Sequence, residues 1–254
     1  MAAGGAVIDP IHQFEIKKIT NITVGGLDLS FTNASLFMVI ALGVISLIMI
    51  WGTSARAIVP GRLQSIAEML YEFIEDTVQG TMGKSGRKFL PLVFSLFMFV
   101  LVCNMVGLIP GTFTVTSHII VTFALAAVVI LTVLIYGIMK HGTHFFGLFV
   151  PSGVPKPLLL LLTPIEIISF VSRPISLSMR LFANMLAGHI ALKVFAGFIL
   201  MMTAAGGVAV ALSPLPLLMI VALTALEFLV AALQAFVFSV LTCIYLNDAL
   251  HPGH

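Results

Sequence analysis

The sequence predicts an all-α integral membrane protein: about three upright transmembrane helices, an amphipathic helix, and a C-terminal hairpin of two long, strongly tilted membrane helices. Three observations predict it. Of 254 residues, 60% are hydrophobic and 9% are charged, whereas a soluble domain carries roughly 25% charged residues. Mean hydropathy is +1.18, so there is too little polar surface to face water on every side. The apolar residues also fall in runs long enough to cross a bilayer, and the last two runs are too long to stand upright. Disorder, a collagen-like repeat and a disulfide scaffold are excluded. A net charge of +2 gives a nucleic-acid partner no electrostatic footing. Cys103 and Cys243 each lie in an apolar run and read as reduced core thiols.

Residues 1–33 are mixed and polar, with Glu15, Lys17, Lys18 and Asp28, and predict an external tail or a helix at the membrane surface. Residues 34–51 are uncharged and about one bilayer thick. They form the first span, with Trp51 at an interface. Pro60-Gly61 opens a different segment, 62–82. There Leu63, Ile66, Leu70, Phe73 and Ile74 fall at helical spacing, and Glu68, Glu72, Glu75 and Asp76 take the other face. This is an amphipathic helix at the membrane border or against a partner. The stretch 89–139 holds spans two and three, separated by Pro110-Gly111, and 140–156 is a loop rich in Gly, Pro and His.

From Pro157 to about Ala205 no polar turn is written. As helix this run measures about 70 Å at 1.5 Å per residue, over twice a hydrocarbon core of ~30 Å. Pro174 kinks such a helix without reversing it. The solution is one long tilted helix, closed by Gly206-Gly207 and Pro214-Leu215-Pro216. The run to about Leu246 then returns antiparallel, also tilted, so that 157–248 forms a hairpin. The segment between spans one and two carries Arg56, Arg62, Lys84, Arg87 and Lys88, and the loop after span three carries Lys140 and Lys156. The opposite turns carry no Lys or Arg. The positive-inside rule puts the N-terminus outside and the C-terminus inside, with Lys17 and Lys18 as contrary charges.

Five charged residues lie inside the long apolar runs: Glu166, Arg173, Arg180, Lys193 and Glu227. An ionised group at mid-membrane costs about 2.5 to 3.5 kcal/mol on insertion scales, so each needs protein or water beside it. Glu166, Arg173 and Arg180 recur every seven residues, a step of about −20° around a helix, and share one stripe. Ser172, Ser176, Arg180 and Asn184 form a neighbouring row. The guanidinium of Arg180 keeps its proton and has no acid within four residues, so it calls for an external carboxylate. On the returning helix, Thr224, Glu227, Gln234, Leu241 and Asp248 share a face. An antiparallel hairpin brings Glu227 toward His189 and Gln234 toward Arg180. An acid beside an imidazole has the chemistry of a proton relay, and a permanent cation that of a barrier.

Plainer readings stand beside these. Arg180 also fits an ion pair tying two helices, Glu227 a partner for an arginine or for Lys193, and His189 a hydrogen-bonded packing residue. Gln234 and Asn184 fit interhelical hydrogen-bond glue. Glu166 with Arg173 reads as a structural pair. His118, at the start of span three, is a candidate for a water cavity near the outer surface. His141, His144, His251 and His254 read as solvated loop and tail residues without zinc-site spacing.

The run from Ser172 to His189, SRPISLSMRLFANMLAGH, resembles one family closely: subunit a of the rotary F-type ATP synthases. Leu226-Glu227, then Gln234-Ala235-Phe236-Val237-Phe238, then Tyr245-Leu246 resemble its second half, and Asn104-Met105-Val106-Gly107-Leu108-Ile109-Pro110 its second span. The resemblance runs from about Phe14 to Asp248. One common bacterial pattern has an acid at position 189 and a histidine at 227. The reciprocal exchange here resembles the alphaproteobacterial and mitochondrial form.

The resemblance implies two tilted helices curved around a ring of c subunits, each with one mid-membrane carboxylate, and two offset aqueous half-channels. By match, Arg180 is the essential arginine between them, Asn184 and Gln234 line the approach, and His189 with Glu227 form the outer half-channel pair. His118 joins them as a proton-path candidate. The ions implied are protons, since nothing resembles a sodium cage. Implied partners are the c-ring proteolipids, the b and b′ peripheral stalk, the remaining ATP synthase complex and the lipid bilayer. No cofactor is implied, and no catalytic centre lies on this chain, because no Walker-type loop is present. The implied location is the bacterial inner membrane, or the mitochondrial inner membrane as the alternative. A stand-alone ion-coupled secondary transporter is the competing class, and it predicts internal repeats that the sequence lacks. An intramembrane enzyme would need a nucleophile near His189 and Glu227, and none is spaced for it.

Overall fold

In a computed structural model, residues 15–21, 23–24, 27–28, 30–54, 60–109, 111–142, 145, 147 and 156–250 are described. The described residues of the N-terminal segment form short strands rather than a helix. Strand β1 (Lys18–Thr20) pairs antiparallel with β4 (Phe31–Thr32), and β2 (Thr23–Val24) with β3 (Leu27–Asp28). The β-branched residues Ile19, Thr20, Thr23 and Val24 suit strands, and no apolar helical period competes. Asn33 ties this ribbon to the first helix. Its Oδ1 accepts from the backbone N–H of Lys17 at 3.2 Å and of Ala34 at 2.9 Å, and its Nδ2 donates to the Glu15 carbonyl at 3.0 Å.

Helix α1 (Asn33–Ser54) is apolar all round and largely exposed, with Val39, Ile50 and Trp51 facing outward, as a helix bathed in lipid is. It leans on α2 (Arg62–Met82) where Gly52 meets Ala67. The buried edge of α2 is Ala67, Ile74, Val78 and Met82, while Leu63, Ile66 and Phe73 are exposed. The close Gly52–Ala67 contact rotates the inward face away from the centre of the apolar stripe. A 3₁₀ turn (Gly83–Phe89) follows, and its Lys88 bonds the Tyr136 hydroxyl.

Helix α3 (Leu90–Gly107) is the pillar of the core. Val93, Phe97, Met98 and Val100 pack among Ile74 and Val78 of α2 and the partners that follow. Those are Ala126, Val129 and Val133 of α4 (Ile119–His141), Phe170, Leu177 and Leu181 of α5 (Lys156–Ala205), and Ala235, Phe238 and Leu246 of α7 (Pro214–Leu250).

Helix α5 runs 50 residues without a break, with Pro164 and Pro174 inside it, a length of about 75 Å. Gly206 (φ 71°) and Gly207 (φ 57°) end it in the left-handed region that glycine enters at little cost. A short α6 (Val208–Leu212) leads into the 37-residue α7, which returns antiparallel. Among the described residues, five segments are long and apolar enough to cross a membrane: Asn33–Ser54, Arg62–Gly107, Ile119–His141, Leu158–Ala205 and Ala209–Leu250.

Candidate functional site

The site lies along the α5–α7 hairpin. On α5, Leu177, Leu181 and Met185 form a four-residue row buried against the bundle. That row turns the adjacent row of Ser172, Ser176, Arg180 and Asn184 outward, and all four are exposed. Among the described residues Arg180 has no ion-pair partner. Arg173, one stripe position earlier, is satisfied within the chain. Its Nη1 donates to Asp248 Oδ2 of α7 at 2.5 Å, and its guanidinium lies 5.2 Å from the Tyr245 ring centre. The structural pair expected between Glu166 and Arg173 is therefore replaced by a pair across the hairpin. At about 5 Å per turn, Glu166 lies almost two turns along the helix from Arg173, whereas Asp248 faces it directly.

Two turns beyond Arg180 the arrangement changes. His189 is buried at 8% exposure, and its Nε2 stands 2.9 Å from Thr114 Oγ1. Glu227 comes in from α7, with both carboxyl oxygens enclosed and without a hydrogen-bond partner among the described residues. Its carboxyl rests on Gly188 so closely that a methyl at that position would overlap Oε1. A narrow gap here is lined by Leu108, Asn184, Met185, His189, Glu227 and Val230. His189 also borders a second, open cleft of about 360 Å³ that includes Gly107, Gly111, Lys193 and Thr224. His189 thus stands between an open cleft and the Glu227 gap, and Asn184 stands between that gap and the outward face that carries Arg180.

The other expected residues divide. Gln234 is half-buried on α7 and makes no hydrogen bond to Arg180 among the described residues. His118 caps the start of α4 with its ring stacked on Phe113, centroids 4.9 Å apart. Burial lowers its imidazole below the usual range, and it is not among the residues lining the His189 cleft. His144, His251 and His254 lie outside the described residues. No group of three or more metal-binding side chains occurs among the described ones. Thr114 is a partner that helical spacing did not point to, whereas Asp248 lies on the α7 face that spacing marks, though not there as the partner of Arg173. Thr114 sits in an aperiodic loop, 75 residues from His189. The only signal was the alternation Thr112, Thr114, Thr116 in an otherwise apolar stretch.

The fold and the site define a polytopic helical membrane protein with ionisable side chains along a long helical hairpin, one cation turned outward and one acid turned in. The family model for the ATP synthase A chain matches residues 35–247. The chain is 64% identical to ATP synthase subunit a of Mesorhizobium japonicum over 247 residues, covering 97% of this chain and 98% of that one. It is 65% identical to ATP synthase subunit a of Rhizobium etli over 245 residues, 96% of this chain and 98% of that one. Against ATP synthase subunit a of Agrobacterium fabrum the figure is 62% over 246 residues, 97% and 99%. The chain belongs to the ATP synthase subunit a family.

Proposed function

We propose that this chain is the stationary, proton-translocating subunit of the Fo membrane sector of a rotary ATP synthase, working against the carboxylates of a c-ring. The observation that carries the reading is the contrast along the hairpin: an outward Arg180 without an ion-pair partner among the described residues, and a gap lined by His189 and Glu227 beside an open cleft. An arginine facing lipid alone is costly. A passing carboxylate removes that cost, and the family supplies one on each rotor subunit.

The residues then have distinct tasks. The cleft beside His189 admits a proton from the outer side. His189 and Glu227 exchange it, and Asn184 opens the way from their gap to the outward face. A rotor carboxylate that receives the proton becomes neutral, leaves Arg180 and enters lipid cheaply. After nearly a full turn it releases the proton to the inner side and meets Arg180 again as an anion. The fixed positive charge of a guanidinium at Arg180 holds the anion while blocking direct passage. A potential of 100 mV supplies about 2.3 kcal/mol per charge. Gln234 lines the approach from α7, and His118 is a further proton-path candidate near the outer surface. The N-terminus lies outside and the C-terminus inside, in a bacterial inner membrane. The b and b′ stalk holds the chain still, and nucleotide chemistry belongs to other subunits. Arg180→Ala in inverted membrane vesicles tests the reading: ATP-driven acidification disappears while the complex remains assembled. Near-normal pumping overturns it.

A further inference from the structure

The loop between α3 and α4 holds a hydroxyl against His189. Thr114 is completely buried, and its Oγ1 lies 2.9 Å from His189 Nε2 and 3.2 Å from the Gly107 carbonyl oxygen. A threonine hydroxyl has one proton to donate and lone pairs to accept with. Gly107 ends α3, and carbonyls in a last helical turn have no partner within the helix. A carbonyl has no proton to give. With Thr114 donating to the Gly107 carbonyl, its lone pairs are left to accept from His189 Nε2–H.

The loop is too well anchored to turn away. Ser117 Oγ donates to the Thr114 carbonyl at 2.6 Å. Thr116 Oγ1 donates to Asn104 Oδ1 at 2.8 Å, and Asn104 Nδ2 donates to the Ala231 carbonyl at 3.2 Å. Ala231 is one turn beyond Glu227 on α7. A Cβ on Gly107 would come within 2.7 Å of Thr114 Cγ2, so α3 approaches the loop as closely as a glycine permits. The same turn thus grips the His189 ring on one side and the Glu227 helix on the other. The charged groups facing His189 are Glu227 from α7 and Lys193 on its own helix.

We infer that Thr114 is a positioning residue for proton transfer: its hydroxyl, fixed by the anchored loop, holds the His189 ring in place between the open cleft and the Glu227 gap. The inference rests on the proposed proton route through His189. Its test uses ATP-driven pumping and potential-driven proton flow in membranes carrying the whole complex, with assembly followed by co-purification. Thr114→Val keeps the shape and removes the hydroxyl, and it should slow proton flow about fivefold to tenfold, the worth of one buried hydrogen bond. Thr114→Ser keeps the hydroxyl and loses the methyl, and it should restore flow to within about twofold of the parent. In a His189→Ala background, Thr114→Val should cause no further loss, because it acts through the missing ring. A packing role reverses the order, with Val better than Ser. That order overturns the inference, as do full speed in Thr114→Val, a multiplying loss in the double variant, or a Thr114→Val complex that fails to assemble. If His189→Ala itself pumps normally, the proton route through His189 falls. If His189→Ala fails while Thr114→Val is normal, only the role of Thr114 falls.

Discussion

Arg180 and Glu227 sit on the same hairpin and meet opposite treatment. The Glu227 carboxyl is enclosed, seated on Gly188, and bordered by the buried His189 that Thr114 holds. Arg180 is exposed, unpaired among the described residues, and anchored only through the buried Leu177 and Leu181 beside it. Arg173, seven residues earlier, shows that the hairpin can satisfy an arginine internally when an acid such as Asp248 faces it. The lesson is about where the missing partner lies. The acid has its surroundings within the chain, whereas the outward arginine, on the proposed reading, is completed by a carboxylate of another subunit. The same division appears in packing. More than half of the apolar stretch within Arg62–Gly107 is buried, against about a tenth of that within Leu158–Ala205, so the hairpin offers a long face to whatever lies outside.

Substitutions test that contrast with graded effects. The largest is expected at Arg180, where alanine should remove ATP-driven pumping altogether. Lysine should fail too, because an ammonium yields its proton in an apolar setting far more readily than a guanidinium. Full activity with lysine would mean that any cation serves. Next is Glu227→Gln, which should slow proton flow by about a hundredfold, the typical worth of a positioned acid–base group, with assembly intact. A complex that does not assemble would give Glu227 a structural task instead. Gly188→Ala should follow, because the added methyl overlaps the Glu227 carboxyl. A loss of about tenfold in proton flow is expected from strain of 1–3 kcal/mol, and normal flow would show that the carboxyl is free to move aside. The smallest effect is expected at Asp248→Asn. Its pair with Arg173 is partly exposed, so heat stability of the complex should fall by no more than about 1 kcal/mol while pumping continues. Loss of pumping there would extend the proton path to the inner end of the hairpin.

Much of this was legible because a membrane imposes strict rules on sequence. Uncharged runs mark spans, and a run of about 50 residues without a turn reads as one long helix, which α5 is. The seven-residue recurrence of Glu166, Arg173 and Arg180 follows from helical geometry alone, as does the approach of Glu227 to the His189 turn. What was not legible lies where periodicity stops. The strands between Lys18 and Thr32 are two or three residues long and carry no pattern of their own. Their pairing depends on Asn33 and on contacts across the ribbon. Thr114 and His189 meet across a loop whose path no repeat records. The choice of Asp248 over Glu166 as partner of Arg173 depends on how far the two helices slide past each other, which composition does not set.

A density map of this chain within its assembled complex, resolving the Arg180 side chain, addresses the outward arginine most directly. The expected result is a guanidinium within about 4 Å of a mid-membrane carboxylate from a neighbouring rotor subunit. A guanidinium surrounded by lipid, or folded back onto an acid of its own bundle, would contradict it.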